Sequence, residues 1–136
     1  MEVRNVHQRF FAVAPERLAP LLDSLSSRND LLWPFEHWPR MRFDRPLGVG
    51  ASGGHGPIRY DVEAYAPGQR VRFRFRAPRG FEGLHALEVE PAGGGSTLRH
   101  VLEMQARGPA RLAWPLVFRP LHDALVEDAL DKAERS

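Results

Sequence analysis

Residues 70–77 read RVRFRFRA, and this strict alternation of arginine with Val71, Phe73 and Phe75 constrains the fold more than any other stretch. On a helix, a period of two would scatter the apolar side chains around the axis. On a strand it gathers Val71, Phe73 and Phe75 on one face and Arg70, Arg72, Arg74 and Arg76 on the other. Such a strand needs partners at its edges and a cover for its dry face. Without a cover, the stretch would read as a nucleic-acid platform, with aromatic rings to stack bases and guanidinium groups to hold phosphates.

Turn chemistry supplies the partners. GGG at 93–95 allows a two-residue turn at Gly93-Gly94, which pairs Val89 with Leu98, Leu87 with His100 and His85 with Leu102. In APGQ, Pro67 and Gly68 suit the central positions of a type II turn, setting Tyr60 near Phe75 and Val62 near Phe73. A type II turn splays a hairpin, so a bulge is expected there. The resulting dry surface comprises Ile58, Tyr60, Val62, Val71, Phe73, Phe75, Leu87, Val89, Leu98, Leu102 and Met104. Strands are predicted over Val3–Val13, Met41–Arg45, Leu47–Gly54, Ile58–Tyr65, Arg70–Ala77, Phe81–Glu90 and Ser96–Arg107. Between the first two, Pro15 and Glu16 open a helix on which Leu18, Leu21, Leu22 and Leu25 recur at helical spacing, with a bend expected at Pro20. The connector NDLLWPFEHWPRMRF then crowds Trp33, Phe35 and Trp38 between prolines and is too apolar to stay in water.

The cover comes last. Trp114, Val117, Phe118, Leu121, Leu125 and Ala129 mark a helical stripe opposite Arg119, Asp123, Glu127 and Arg135, with a bend expected at Pro120. The acidic run Asp123, Glu127, Asp128 and Asp131 reads as a wet helix face. With Phe73 and Phe75 beneath this helix, the nucleic-acid reading falls away. The arginine face becomes a solvated lattice with Asp61, Glu63, Glu88, Glu90 and Glu103 on neighbouring strands. A net charge of +2 points the same way.

A chain of 136 residues is expected to form one domain, 1–136, with one core. The absence of cysteine excludes disulfide scaffolds and thiol chemistry. No run of 18 apolar residues occurs, and MEVRNVHQRFF lacks the apolar stretch of a signal peptide, so a cytoplasmic protein without membrane insertion is expected. Arginine supplies 18 of the 19 basic residues, Lys132 being the single lysine.

Site chemistry has to come from polar groups on the dry side. His85 and His100 share that face as diagonal neighbours, with backbones about 7–8 Å apart. His55 falls at a strand end nearby, and His122 lies on a flank of the helical stripe. Two readings stand: a polar spot inside an apolar cavity, able to orient a ligand oxygen or relay a proton, or histidines that each satisfy a local group. The spacing of HDALVED does not make a metal site, the G-x-S-x-G letters at Gly50–Gly54 lead from one predicted strand to the next and not through the strand-to-helix elbow of a nucleophilic serine, and GASGGHG lacks the Lys-Ser/Thr ending of a phosphate loop. No metal and no cofactor is expected.

Four segments carry a resemblance: FFAVAPERLAPLLDSL, GGHGPIRYDVEAYAPGQRVRFRF, LHALEVEPAGGGSTLRHVLEMQ and LAWPLVFRPLHDALVEDALDKAE. In this order and spacing, over nearly the whole chain, they resemble the START-like superfamily, which includes polyketide cyclases and birch-pollen-allergen-like proteins (SRPBCC). The resemblance implies an α+β helix-grip fold, a curved antiparallel sheet of six or seven strands wrapped around a long C-terminal helix. It further implies a carrier or sensor of a hydrophobic molecule, lipid-, sterol- or polyketide-like. The expected cavity is lined by Tyr60, Val62, Phe73, Phe75, His85, Leu87, His100, Leu102, Met104, Trp114, Phe118, Leu121 and His122. The alternative is a cyclase- or dehydratase-like enzyme with His85 and His100 as acid and base.

Overall fold

The computed structural model describes all residues 1–136. Seven strands form one antiparallel sheet: β1 (Glu2–Phe11), β2 (Arg42–Phe43), β3 (Ser52–His55), β4 (Ile58–Ala66), β5 (Arg70–Ala77), β6 (Phe81–Ala92) and β7 (Gly95–Ala106). Their order across the sheet is β1-β7-β6-β5-β4-β3-β2. Helix α1 (Pro15–Asp23) follows β1. The C-terminal helix runs in three pieces: α2 (Ala110–Ala113), a π-helical turn (Trp114–Phe118) and α3 (Arg119–Glu134). This is the α+β helix-grip architecture expected from the sequence.

Both hairpin registers are as the turn residues require. Val89 pairs with Leu98, Leu87 with His100 and His85 with Leu102. Tyr60 pairs with Phe75 and Val62 with Phe73, and the ladder is bulged on either side of these pairs. Gly68 takes the positive φ of 74° that a type II turn demands of its third residue, and Gln69 N–H closes the turn on Ala66 O at 2.9 Å. Strand β5 buries Val71, Phe73 and Phe75, while its arginines face out to carboxylates: Arg72 and Arg74 to Glu63 at 3.1 and 2.9 Å, and Arg76 to Asp61 at 3.3 Å. No aromatic platform is left exposed on this strand.

Several expectations are corrected. The strand predicted over Leu47–Gly54 begins only at Ser52, because residues 45–50 are bends and turns. Strand β2 keeps two residues of the predicted Met41–Arg45, and β1 stops at Phe11 rather than Val13. The helical stripe is also out of phase at its start: Val117 and Leu121 are each 51% exposed, whereas Leu125, Val126, Ala129, Leu130 and Ala133 are buried. The cause is the π-helical turn, in which Arg119 N–H reaches back to Trp114 O, five residues away. Pro120 has no N–H to offer the carbonyl four residues back, and the extra residue absorbs that lost bond. Downstream positions are thereby rotated relative to the uninterrupted pattern.

The acidic run faces water, with Glu127 and Asp131 exposed and Asp123 and Asp128 half-buried, but it is also paired on both flanks. Arg9 on β1 holds Asp131, Glu134 and Glu127 at 2.7, 2.9 and 3.0 Å. His7 contacts Glu127 and Asp123 at 2.7 and 2.9 Å, and Asn5 Nδ2 donates to Asp123 at 3.0 Å. On the other flank, Trp38 Nε1 donates to Asp128 at 2.8 Å. Lys132, the single lysine, is buried and donates to the carbonyls of Asp30 and Trp33 at 2.9 and 2.8 Å and to Glu36 at 3.2 Å. Asp30 in turn accepts from the backbone N–H groups of Ser26, Leu32 and Trp33, which fixes the apolar connector against the helix.

Burial decides which of these charges matter. Lys132→Met leaves the Asp30 carbonyl without its donor and takes one of two donors from the Trp33 carbonyl, which keeps the Phe35 N–H at 2.9 Å, and is expected to cost about 2 kcal/mol. Replacing Arg72 and Arg74 together by glutamine is expected to cost less than about 1 kcal/mol, because exposed pairs contribute little. Urea unfolding of the two variants checks the order, and a larger loss for the double arginine variant would contradict it.

Candidate functional site

Between sheet and C-terminal helix the side chains do not meet, and a cavity of about 210 Å³ remains. Each surrounding element contributes to its wall. Strands β5, β6 and β7 give Phe75, Phe81, His85, Leu87, His100 and Leu102. The C-terminal helix gives Trp114, Phe118, Leu121, His122 and, deeper along α3, Leu125 and Ala129. The connector adds Trp33, Trp38 and Pro39, the end of β3 adds His55, and the β3–β4 turn adds Pro57. Pro39, Pro57 and Leu121 are exposed and mark the rim.

Of the residues expected on the wall, Phe75, His85, Leu87, His100, Leu102, Trp114, Phe118, Leu121 and His122 are there. Tyr60, Val62, Phe73 and Met104 are not. Tyr60 and Phe73 are completely buried and pack on each other at 5.0 Å between ring centres, behind the wall. Val62 lies in the same core cluster, and Met104 in a smaller one with Val3, Phe81 and Trp114. Facing the covered side of a sheet is therefore not the same as facing the cavity, whose position depends on where the helix stands off. The wall residues missed from sequence lie chiefly in the connector (Leu32, Trp33, Trp38, Pro39) and along α3 (Leu125, Val126, Ala129, Leu130); the tryptophans among the connector's prolines were a signal of burial but not of what they border.

The histidines form a row of rings. His85 stacks between Phe73 and Phe75, with centres 4.7 and 4.9 Å away, and meets the Tyr60 ring edge-on at 4.5 Å. His100 follows at 5.5 Å from His85, His122 at 5.0 Å from His100, and His7 at 6.1 Å from His122. Two members of the site have partners: His55 Nδ1 lies 2.7 Å from the Tyr60 hydroxyl, and His122 Nε2 lies 3.1 Å from Asn5 Oδ1. Since the Asn5 amide nitrogen is committed to Asp123, its oxygen faces His122, and His122 donates. His85 Nε2 and His100 Nδ1 have no partner, and they are the only buried side-chain nitrogen or oxygen atoms in the chain in that condition.

Burial sets the charge of the row. Desolvation pushes His55 down to about 3 and His122 down to about 4, and holds His85 and His100 well below the ordinary imidazole range. The neighbouring imidazoles push in the same direction. At neutral pH the four rings are uncharged, so each offers one N–H donor and one bare nitrogen. As an acid–base pair, His85 and His100 lack a stored proton to give. No three His, Asp or Glu side chains converge as metal ligands, and no helix is long and apolar enough to cross a membrane.

No family model and no curated protein sequence matches the chain. Solved structures match in fold. Protein MLL2253 from Mesorhizobium loti is 17% identical, with 98% of this chain and 95% of that one covered at a TM-score of 0.64. The di-domain ARO/CYC StfQ of the steffimycin biosynthetic pathway is 15% identical, with 98% of this chain and 49% of that one covered at 0.68. Norcoclaurine synthase from Thalictrum flavum is 14% identical, with 100% and 98% covered at 0.62. At the level of fold the resemblance read from the sequence holds: the chain has the helix-grip fold that these structures share. At these identities the likeness carries the fold and leaves the chemistry to the cavity itself.

The buried imidazoles make stability depend on pH. An unfolded chain takes up protons on these histidines as pH falls through about 6.5, whereas the folded chain does so only near pH 4 at His122 and pH 3 at His55. Between those limits the unfolded state holds more protons, so unfolding free energy must fall as pH falls. From pH 7 to pH 5 the expected loss is about 2 kcal/mol for each of His55 and His122. His85 and His100 add in the same direction, and Asp30, whose pKa is raised chiefly by burial, is a single group acting in the opposite one. Urea midpoints that are equal at pH 7 and pH 5 would contradict the burial of these rings.

Proposed function

We propose that residues 1–136 act as one binding unit for a hydrophobic small molecule held between the sheet and the C-terminal helix, as a carrier or sensor. The observation that carries this reading is the cavity: about 210 Å³ of space walled almost entirely by apolar and aromatic side chains, with the imidazoles of His55, His85, His100 and His122 among them. Space left open in a packed interior forfeits dispersion contacts, and a bound apolar molecule restores them. The helix-grip neighbours support the reading at the level of fold. Cytoplasmic residence, without membrane insertion, remains part of the proposal.

A cyclase-like enzyme is the second reading, favoured by the adjacency of His85 and His100, whose ring centres are 5.5 Å apart. Two titratable groups directed at one place are what acid–base chemistry needs. Their neutral state weighs against it, because a buried neutral imidazole is a weak base and has no proton to deliver at pH 7. The carrier reading is therefore the stronger.

All three tryptophans of the chain, Trp33, Trp38 and Trp114, line the cavity, so intrinsic fluorescence reports on its contents. Titration with a compact apolar compound such as indane is expected to shift tryptophan emission saturably. Ala129→Phe, which fills the space from α3, is expected to abolish the shift while near-ultraviolet circular dichroism stays native-like. If none of a panel of apolar compounds moves the emission of the unaltered protein, the binding reading fails and a role in partner recognition replaces it.

A further inference from the structure

The wall of the cavity has dipoles but no charge: none of the residues that line it is Asp, Glu, Lys or Arg. It is also unusually aromatic, with Trp33, Trp38, Phe75, Phe81, Trp114 and Phe118 presenting faces and edges to the same space. The two buried polar atoms of the chain that lack partners belong to adjacent rings of this wall, His85 and His100. Resting on the cavity as a small-molecule site, we propose that its ligand is an uncharged aromatic alcohol of one or two rings, a phenol or its fused-ring equivalent, whose hydroxyl is held by His85 and His100.

Size sets the first limit. An apolar cavity of about 150 Å³ accepts benzene, so about 210 Å³ has room for a substituted ring or two fused rings. Drug-sized pockets run from about 300 Å³ upward, so the four-ring body of a sterol would have to extend past the rim at Pro39, Pro57 and Leu121. The aromatic wall sets the second limit, since a flat ring gains offset and edge-on contacts there that a flexible alkyl chain does not.

Polarity sets the third. Because a neutral imidazole has one donor and one acceptor, a group that both gives and takes a hydrogen bond suits the ring pair whichever nitrogen of each ring carries the proton. A hydroxyl does this, and rings centred 5.5 Å apart are close enough for one oxygen to serve both at ordinary hydrogen-bond lengths of about 2.9 Å. A carboxylate only accepts, and it would bring a buried charge to a wall without a cation. An ammonium group meets no carboxylate there. An unsubstituted hydrocarbon offers neither ring a hydrogen bond.

Three matched compounds separate these cases: indane, 5-indanol and indane-5-carboxylate, titrated at pH 7.5 against tryptophan emission. The expected order has 5-indanol binding at least about tenfold more tightly than either of the others, as one satisfied buried hydrogen bond is worth about that factor. His85→Leu and His100→Leu are expected to bring 5-indanol to within about threefold of indane without weakening indane. The side-chain nitrogen resonances of His85 and His100 should move with 5-indanol and stay put with indane, a response that a merely structural role for these rings would not produce. If indane or the carboxylate binds as tightly as 5-indanol, the ligand class is wrong while the cavity reading stands. If none of the three binds, the cavity reading falls and this inference with it. Should the leucine variants fail to fold, the order of the three compounds on the unaltered protein still decides.

Discussion

The C-terminal helix is held to the sheet at its flanks by charge, and the rest of the structure follows from that. On one side Asp123, Glu127, Asp131 and Glu134 reach Asn5, His7 and Arg9 of the edge strand. On the other, Lys132 and Asp128 fasten the connector through Trp33, Glu36 and Trp38. Apolar packing alone would draw the helix down until the space beneath it closed, because interiors approach the density of organic crystals. Anchors on both sides make the helix a beam resting on two supports, and the span between them stays partly unfilled. Polar contacts with little energy of their own can thus determine where apolar groups fail to meet.

That span also explains the chemistry of the histidines. His85 and His100 sit where water has been removed and no carboxylate has replaced it, so desolvation decides their charge, and at His122 it outweighs the pull of Asp123. His7 marks the contrast. One step further along the row, at the edge strand, both of its ring nitrogens meet carboxylates of the helix. The row passes from uncharged and unpartnered in the interior to fully partnered at the edge within four rings. A buried neutral imidazole suits recognition of an uncharged polar group better than proton transfer, and this physical distinction separates the two functional readings.

Much of the fold was legible because turns and alternation are local. Gly93-Gly94 and Pro67-Gly68 placed two hairpins in register, and the arginine strand announced its own faces. The short strands β2 and β3 were harder to bound, since few residues pair and the glycines between 48 and 54 carry no facial pattern. The site was half legible. His85 and His100 were placed together by a register that the sequence contains. The exclusion of Tyr60 and Phe73 from the wall was not legible, because it depends on the height of the helix above the sheet, a relation between elements as far apart in sequence as Arg9 and Asp131. Lys132 gave no sign of its role; a lone lysine looks like any surface charge until its three acceptors are seen.

The π-helical turn at Trp114–Phe118 acts as a phase adjuster for the whole cover. Each residue of an α-helix advances the chain by about 100°, so one residue more or fewer in this turn rotates every side chain before it relative to every side chain after it. With the turn as it stands, Trp114 and Phe118 point inward and Leu116 and Val117 face solvent. On the sheet, Phe81 registers that choice, its ring lying 6.1 Å from Trp114 and 5.3 Å from Phe118, whereas the ionic anchors of α3 all lie beyond the turn. Changes in the length of this short segment can therefore retune which side chains reach the interior, and so the shape of the space they enclose, while the scaffold around it keeps its sequence.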